Sequence, residues 1–257
     1  MTTVAVASAK GSPGATIAAL ALATQWPRPV ALADVDPAGG DVVWRVRGLD
    51  GGPLDLDRGM LSLGAGLRRG VSETTLAEHL QDTAFGFPVL TGVPTPEQLA
   101  GIGGAWTHLG EVFNRHEADV IVDCGRISLS SPSLPVLHKA DVVLLVVRPD
   151  LEGTAHLRHL LRALQGTLRL GQAGAPQVCV VAVTSYRDTR VTDDLQRLLD
   201  HEGLAARVAG VVAHDEKGAR MLSSTLAGNL ARSLLVRSAR DLAKHLTDLS
   251  RHQTGRS

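Results

Sequence analysis

Residues 3–25 read TVAVASAKGSPGATIAALALATQ, and this stretch decides the fold class. The apolar run Thr3–Ala9 predicts a strand, and the Ala- and Leu-rich run Ala15–Gln25 predicts a helix. The glycine-containing turn between them, residues 10–14, leads straight into the helix. Turns of this kind gather backbone N–H groups at the positive end of a helix dipole, which favours phosphate binding. The chain therefore opens with a strand–turn–helix unit suited to holding an anion.

The same alternation of strand and helix continues along the chain. The further strand-like runs are Val30–Asp34, Pro88–Thr91, Val120–Asp123, Val142–Val147, Val178–Thr184 and Val208–Val212. Helical patterns are Thr74–Leu80, a start at Thr95, Leu151–Leu164 capped by Asp150, Val191–His201, and a tail from Leu230. Continuous Val/Leu/Ile runs favour strands buried on both faces of a sheet. We predict an α/β fold with a doubly wound, mostly parallel sheet and helices on both faces.

Composition limits the classes of protein to consider. Hydrophobic residues make up 44% of the 257 residues, which supports a sizeable core. Lys and Arg number 26, as do Asp and Glu, so net charge does not favour a polyanion-coating protein. We expect one domain over residues 1–257, with a mobile loop at about 48–70 and a short disordered tail at 252–257.

The expected location is the cytoplasm. The two cysteines, Cys124 and Cys179, cannot form a disulfide framework, and both lie in or beside apolar strand-like runs, so a reducing cytosol is the simplest compartment. No stretch approaches the ~18–20 apolar residues that span a bilayer, so we expect no transmembrane segment.

The turn after the first strand resembles the deviant Walker A motif of the MinD/ParA family of P-loop ATPases, Lys-Gly-Gly-x-Gly-Lys-Ser/Thr. Four family positions match, while Ser12 replaces a glycine and Ala15 stands where the family has its phosphate-binding lysine. The resemblance implies a P-loop NTPase-like fold with ATP and Mg²⁺ as cofactors. The residues it assigns to nucleotide binding are Lys10, Gly11, Ser12, Pro13, Gly14, Ala15, Thr16 and Ile17.

Ala15 is the most informative departure from the family pattern. Losing a charge-assisted hydrogen bond to phosphate costs about 1.5–3 kcal/mol, or about one to two decades of affinity. We therefore expect weak or absent ATP hydrolysis, because phosphoryl transfer depends on positioned charge. In the family the first lysine, here Lys10, reaches the partner's phosphates across a dimer. Taken alone, the sequence of residues 10–16 is also consistent with an ordinary Gly/Pro loop before a helix.

Two further strand ends support the resemblance. The segment 34–41, DVDPAGGD, resembles the family's switch I, in which Asp36 would orient the attacking water. The run ending at Asp123 resembles Walker B, in which this carboxylate holds Mg²⁺ through water. The implied catalytic residues are Asp36 and Lys10, and the implied metal residues are Thr16, Asp36 and Asp123.

The positions that contact the base in the family are less well matched. Asp215, after the seventh strand, keeps the family's aspartate and is assigned to nucleotide binding. Residues 184–187, TSYR, lack the asparagine that the family often places near the adenine. Base recognition is therefore the least supported part of the resemblance.

The resemblance implies a nucleotide-responsive homodimer that positions or recruits a cellular machine through an unidentified protein partner. Pilus or secretion assembly, division and chromosome partitioning are within the family's range, and TadZ/CpaE-like members also have altered phosphate loops. Alternatives are a nucleotide-free pseudo-ATPase scaffold and a working ATPase that uses Lys10 in trans. DNA binding is a further option, through Arg68, Arg69, Arg232, Arg237 and Arg240.

Overall fold

The structure is a computed structural model that describes residues 1–11, 14–70, 74–188, 190–223 and 228–254. These residues form a seven-stranded sheet whose paired strands are all parallel. The strands are β1 Thr3–Ser8, β2 Val30–Asp34, β3 Val89–Leu90, β4 Asp119–Arg126, β5 Val142–Val147, β6 Gln177–Thr184 and β7 Arg207–Ala213. Their order across the sheet is β3-β2-β4-β1-β5-β6-β7. The predicted fold class is confirmed.

The helices cover the sheet, and all except the last two, which follow β7, lie between successive strands. They are α1 Ala15–Gln25, α2 Val42–Arg45, α3 Met60–Arg69, α4 Trp106–Asn114, α5 Leu134–Lys139, α6 Leu151–Thr167, α7 Arg190–His201, α8 Glu216–Leu222 and α9 Leu234–Thr254. Short 3-10 helices are Ala77–His79, Pro96–Gly101, Gly103–Ala105 and Leu230–Arg232.

Two hydrophobic layers lie on opposite faces of the sheet. Alternate residues of β1 divide between them: Val4 and Val6 pack with α1 and α9, whereas Ala5 and Ala7 pack with α3–α7. The apolar stripe of the tail helix joins the first layer, with Leu235, Ala239, Leu242, Ala243 and Leu246 buried. A strand that is buried on both faces has apolar side chains at every position. This burial explains the continuous apolar runs in the sequences of the strands.

The structure departs from the sequence-based expectations in three segments. Residues 48–70, expected to be a loop, contain α3, whose Met60, Leu63 and Leu67 are buried on one face. The pattern Thr74–Leu80, expected to be a helix, forms only the 3-10 turn Ala77–His79. Of the expected disordered tail, 252–254 continue α9, and 255–257 lie outside the described residues.

Candidate functional site

The carboxyl ends of β1, β2 and β4 bring the three sequence motifs together. In the register of the sheet, Val6 of β1 pairs with Asp123 of β4, and Asp123 pairs with Asp34 of β2. Because neighbouring parallel strands end at the same edge, the turn after β1 and the segments after Asp34 and Asp123 leave the sheet side by side. The topology therefore assembles a single site from three segments that span more than a hundred residues of the chain.

The turn into α1 ends at Gly14, which is the N-cap residue of that helix. Its φ of 122° lies in the region that favours glycine, so the turn needs this residue. The N–H of Ala18 donates to the Gly14 carbonyl at 2.8 Å, so the N–H groups of residues 15–17 precede the helical ladder. Unsatisfied N–H groups at the positive end of a helix dipole suit an anion such as phosphate.

The other predicted loop residues differ in exposure. Lys10 and Gly11 are exposed, Thr16 and Ile17 are half-buried, and Ala15 is buried. His156 of α6 lies over the turn, since a Cβ atom on Gly11 would be 3.7 Å from its Cδ2. Ser12 and Pro13, also predicted to bind nucleotide, lie outside the described residues.

Asp123 has a free oxygen at the point where Mg²⁺ is expected. Its Oδ1 accepts a hydrogen bond from the Gly125 N–H at 3.0 Å, whereas its buried Oδ2 has no hydrogen-bond partner in the described part of the chain. Burial raises the pKa of Asp123 to about 6, the Thr16 hydroxyl lowers it, and the charge of Asp36 raises it further. A buried carboxylate oxygen without a hydrogen-bond partner at this point fits a metal ligand.

The donors at this point fit magnesium bound together with phosphate. Carboxylate and hydroxyl oxygens are ligands that Mg²⁺ accepts, and it is usually held by one or two carboxylates plus substrate phosphates. Within the described ranges, no group of three or more His, Cys, Asp or Glu side chains is placed to hold a metal ion. The oxygen atoms of Asp123 and Thr16 are of the kind that fits magnesium bound with a nucleotide.

Asp36 lies next to the Asp123 turn, half-buried. Its Oδ1 accepts a hydrogen bond from the Ala38 N–H at 2.8 Å. Burial raises the pKa of Asp36, and the guanidinium of Arg126 lowers it. The structure thus brings Asp36, Asp123 and Thr16 to one place, with Arg126 as a neighbouring positive charge, and their roles in metal binding and catalysis stay predictions.

Asp34, which precedes Asp36, supports the site rather than facing it. Its carboxylate accepts hydrogen bonds from the N–H groups of Asp36 at 3.2 Å and Val42 at 3.0 Å. Burial first, and then the charge of Asp123, raises its pKa well above the usual range. Asp34 therefore fixes the path of the segment between β2 and α2.

Asp215 connects two helices at the far end of the site. Its Oδ1 accepts a hydrogen bond from Gly218 N–H at 2.8 Å, and its Oδ2 accepts from Leu234 N–H at 2.9 Å and Leu235 N–H at 3.3 Å. The carboxylate thus caps both α8 and α9. Nucleotide contact by Asp215 stays a prediction, whereas its capping contacts are a feature that the sequence motif did not indicate.

A cavity of about 280 Å³ lies between the start of α1 and the ends of β6 and β7. Its lining includes Gly14 and Ile17 on one side and Asp215 on another. Sequence reasoning missed two cationic side chains in this lining, Arg45 and Arg148. The sequence could have indicated Arg45 through its position four residues after Asp41. In the structure the Nη2 of Arg45 lies 3.1 Å from Asp41 Oδ2, as an ion pair.

The arginines considered for DNA binding include three whose side chains contact other residues. The Nη1 of Arg68 donates to the Gly101 carbonyl. The Arg237 guanidinium lies 5.9 Å from the centre of the Tyr186 ring. The Nε of Arg240 donates to Gln25 Oε1 at 3.0 Å. No helix in the described part of the chain is long and apolar enough to cross a membrane.

Comparison with solved structures places this geometry in a known fold. The cell division ATPase MinD of Pyrococcus furiosus matches with a TM-score of 0.72 and 17% identity, over 96% of this chain and 99% of that chain. MinD of Pyrococcus horikoshii OT3, complexed with Mg-ADP, matches with a TM-score of 0.70 and 15% identity, over 98% of both chains.

A putative plasmid partition protein of Borrelia burgdorferi bound to AMPPNP matches with a TM-score of 0.70 and 14% identity, over 96% of this chain and 99% of that chain. No protein-family model matches the sequence, and no curated protein matches it. The chain therefore has the α/β fold of the MinD and ParA ATPases over nearly its whole length, and the resemblance is confirmed at the level of the fold.

Proposed function

We propose that this protein is a nucleotide-responsive organiser that binds Mg·ATP, dimerises, and positions or recruits a cellular machine. Pilus or secretion assembly, cell division and chromosome partitioning are the proposed settings, in the cytoplasm. The observation that carries the proposal is the meeting of Thr16, Asp36 and Asp123 at the first turn of α1. Two solved structures of the same fold contain Mg-ADP and AMPPNP, which supports nucleotide as the ligand.

In this proposal each group of the site has one task. The N–H groups of residues 15–17 bind phosphate oxygens, and Thr16 and Asp123 hold Mg²⁺, which neutralises phosphate charge when bound. Asp36 orients a water molecule. Ala15 contributes only a methyl group, so hydrolysis is slow or absent.

Exposed apolar side chains support a dimer across the same edge of the sheet. Leu129, which follows β4, is 52% exposed, and Leu151, the first residue of α6, is 88% exposed. Lys10 is exposed on the turn after β1. A second copy facing this edge would cover both leucines and bring its own Lys10 towards the phosphates.

Calorimetric titration with Mg·ATP tests the proposal directly. Micromolar binding is the expected result, and no binding at millimolar nucleotide would leave only the nucleotide-free scaffold. Sedimentation with and without Mg·ATP then reports dimerisation, which Lys10→Ala should weaken and Lys244→Ala, a change on the exposed side of α9, should not. Turnover that rises steeply with protein concentration and is lost in Lys10→Ala would favour the working ATPase that uses Lys10 in trans.

A further inference from the structure

The cavity beside the turn into α1 is mainly apolar, with a few polar groups. Ile17, Val183, Val212 and Leu235 supply apolar lining, and Arg45 lies among them. Ligand pockets are commonly about 300–1,000 Å³, so a volume of about 280 Å³ suits a nucleoside better than a larger cofactor. The cavity adjoins Gly14, so a ligand within it would place its phosphates at the first turn of α1.

Two of the three guanidinium nitrogens of Arg45 donate to neighbouring side chains, and the third does not. Its Nη1 donates to Ser223 Oγ at 3.1 Å, and its Nη2 donates to Asp41 Oδ2 at 3.1 Å. Its Nε is buried and lacks a hydrogen-bond partner among the residues described. Because buried polar groups in proteins almost always have partners, this N–H is a position for a ligand acceptor.

The placement of Arg45 depends on the segment that carries Asp36. Asp34 accepts a hydrogen bond from Val42 N–H at 3.0 Å at the start of α2, and Arg45 is the last residue of that helix. The Nη1 contact with Ser223 then ties the same side chain to the end of α8. A ligand contact at Nε would therefore connect the cavity both to the switch-like segment 36–41 and to α8.

We propose that Arg45 is a nucleoside-contacting residue, with its Nε–H donating to an acceptor on the base or ribose of the bound nucleotide. This proposal rests on the proposed nucleotide function and deepens it. It gives α2 a direct contact with the nucleoside, so that occupancy of the cavity stabilises the position of the Asp36 segment. Ser223 and Asp41 are positioning residues, since they hold the guanidinium in place.

The test compares two probes that share the phosphates but differ in the nucleoside. Calorimetry measures Mg·ATP and, by competition, Mg·tripolyphosphate with the wild-type chain, Arg45→Gln and Arg45→Lys. Arg47→Gln is the matched control, because Arg47 lies two residues away with an exposed side chain. Both Arg45 variants should bind Mg·ATP about tenfold more weakly, with tripolyphosphate affinity unchanged. Arg47→Gln should change neither affinity.

Three results would overturn the inference in distinguishable ways. Equal Mg·ATP affinities for Arg45→Gln and Arg47→Gln would show that Arg45 does not contact the nucleoside, and the proposed function would not be affected. Equal weakening of both probes in Arg45→Gln would show that Arg45 acts through the phosphate turn. A wild-type chain that binds neither probe would end the proposed function and this inference together. Thermal unfolding shows whether each variant folds. If Arg45→Gln does not fold, the affinities of Arg45→Lys test the inference instead.

Discussion

The backbone of Gly125 lies directly against the carboxylate of Asp36, so a Cβ atom on residue 125 would overlap that carboxylate. Gly125 also has a φ of 60°, a backbone conformation that side chains disfavour. The segment after β2 and the segment after β4 are therefore one packed unit. A change in the position of Asp36 is transmitted to the turn that holds Asp123.

Replacing Gly125 by alanine should be strongly destabilising. The left-handed backbone costs about 1–2 kcal/mol for a residue with a Cβ, and overlap with Asp36 adds about 1–3 kcal/mol. Urea denaturation measures the loss. Gly51→Ala is the control, because Gly51 has a φ of 78° but open space around its Cβ position. If the two variants lose the same free energy of unfolding, the overlap with Asp36 does not contribute to the loss of stability.

The charge missing at Ala15 can be restored. Ala15→Lys should raise the affinity for Mg·ATP by about one to two decades, because a lysine there adds a charge-assisted hydrogen bond to phosphate. Calorimetry is the measurement, and Ala155→Lys, which adds the same charge on the exposed side of α6, should have little effect. Unchanged affinity in Ala15→Lys would contradict the assignment of residues 10–16 as a phosphate loop.

Asp119 joins three elements at the opposite edge of the sheet. It is 4% exposed, accepts hydrogen bonds from Thr2 N–H at 2.8 Å and Trp26 Nε1 at 2.7 Å, and pairs with Arg28 Nε at 2.7 Å. Asp119→Asn should lower the free energy of unfolding by about 2–4 kcal/mol, because buried donors lose their charged acceptor.

The midpoint of urea unfolding gives the size of the Asp119 effect. The matched change is Asp194→Asn, which removes an exposed ion pair with Arg197 and should cost less than about 0.5 kcal/mol. Similar midpoints for the two variants would mean that the Asp119 network does not hold the strands together.

Asp215 should contribute more to stability than an ordinary helix cap. Asp150 caps α6 alone, through Gly153 N–H at 2.7 Å, and Asp150→Ala should cost about 1 kcal/mol. Asp215→Ala removes the acceptor for N–H groups of two helices and should cost about 2–3 kcal/mol. Thermal and urea unfolding measure both. If Asp215→Ala reduces nucleotide affinity without any stability loss, its main role is ligand contact.

Buried His79 should make stability depend on pH. Its Nδ1 lies 2.8 Å from Ser62 Oγ, burial lowers its pKa, and the charge of Glu78 opposes this while Arg58 and Arg69 reinforce it. A lowered folded pKa means that the unfolded chain binds more protons below its ordinary value of about 6.5. The contribution of His79 to the free energy of unfolding should therefore fall as the pH drops below about 6.5, while protonation of Asp123, whose pKa burial raises to about 6, adds stability over the same range.

Unfolding in urea at pH 7.5 and 5.5 measures this slope. His79→Gln should reduce it, while a residual slope remains because burial also lowers the pKa values of His116 and His138. His159→Gln, on the exposed side of α6, should leave the slope as it is. A slope that does not change in His79→Gln would show that His79 does not contribute to the pH dependence.

The strands and their ends were predictable because their signals are local. The run Val142–Val147 is apolar at every position, which suits a strand covered on both sides. Once the strands are parallel and adjacent, Asp36 and Asp123 must lie at the same edge of the sheet. The meeting of these residues with Thr16 therefore follows from the motifs and the fold class together.

Short helices were predicted poorly, because packing decides whether they form. The segment 60–69 contains Gly64 and Gly66 and reads as a loop, yet Met60, Leu63 and Leu67 place one face in the core and stabilise α3. The stretch Thr74–Leu80 has a helical pattern but makes only one 3-10 turn. Short helices gain most of their stability from tertiary contacts rather than from propensity.

The amino-acid sequence by itself determined the doubly wound sheet, the turn before α1 and the carboxylates at the strand ends, because each depends on residues close together in the chain. The tertiary structure alone decided that Asp215 caps two helices, that Gly125 packs on Asp36, and that Arg45 lines the cavity beside Gly14. Those relationships join segments far apart in the chain, and the distances between such segments are set by how the helices and strands pack.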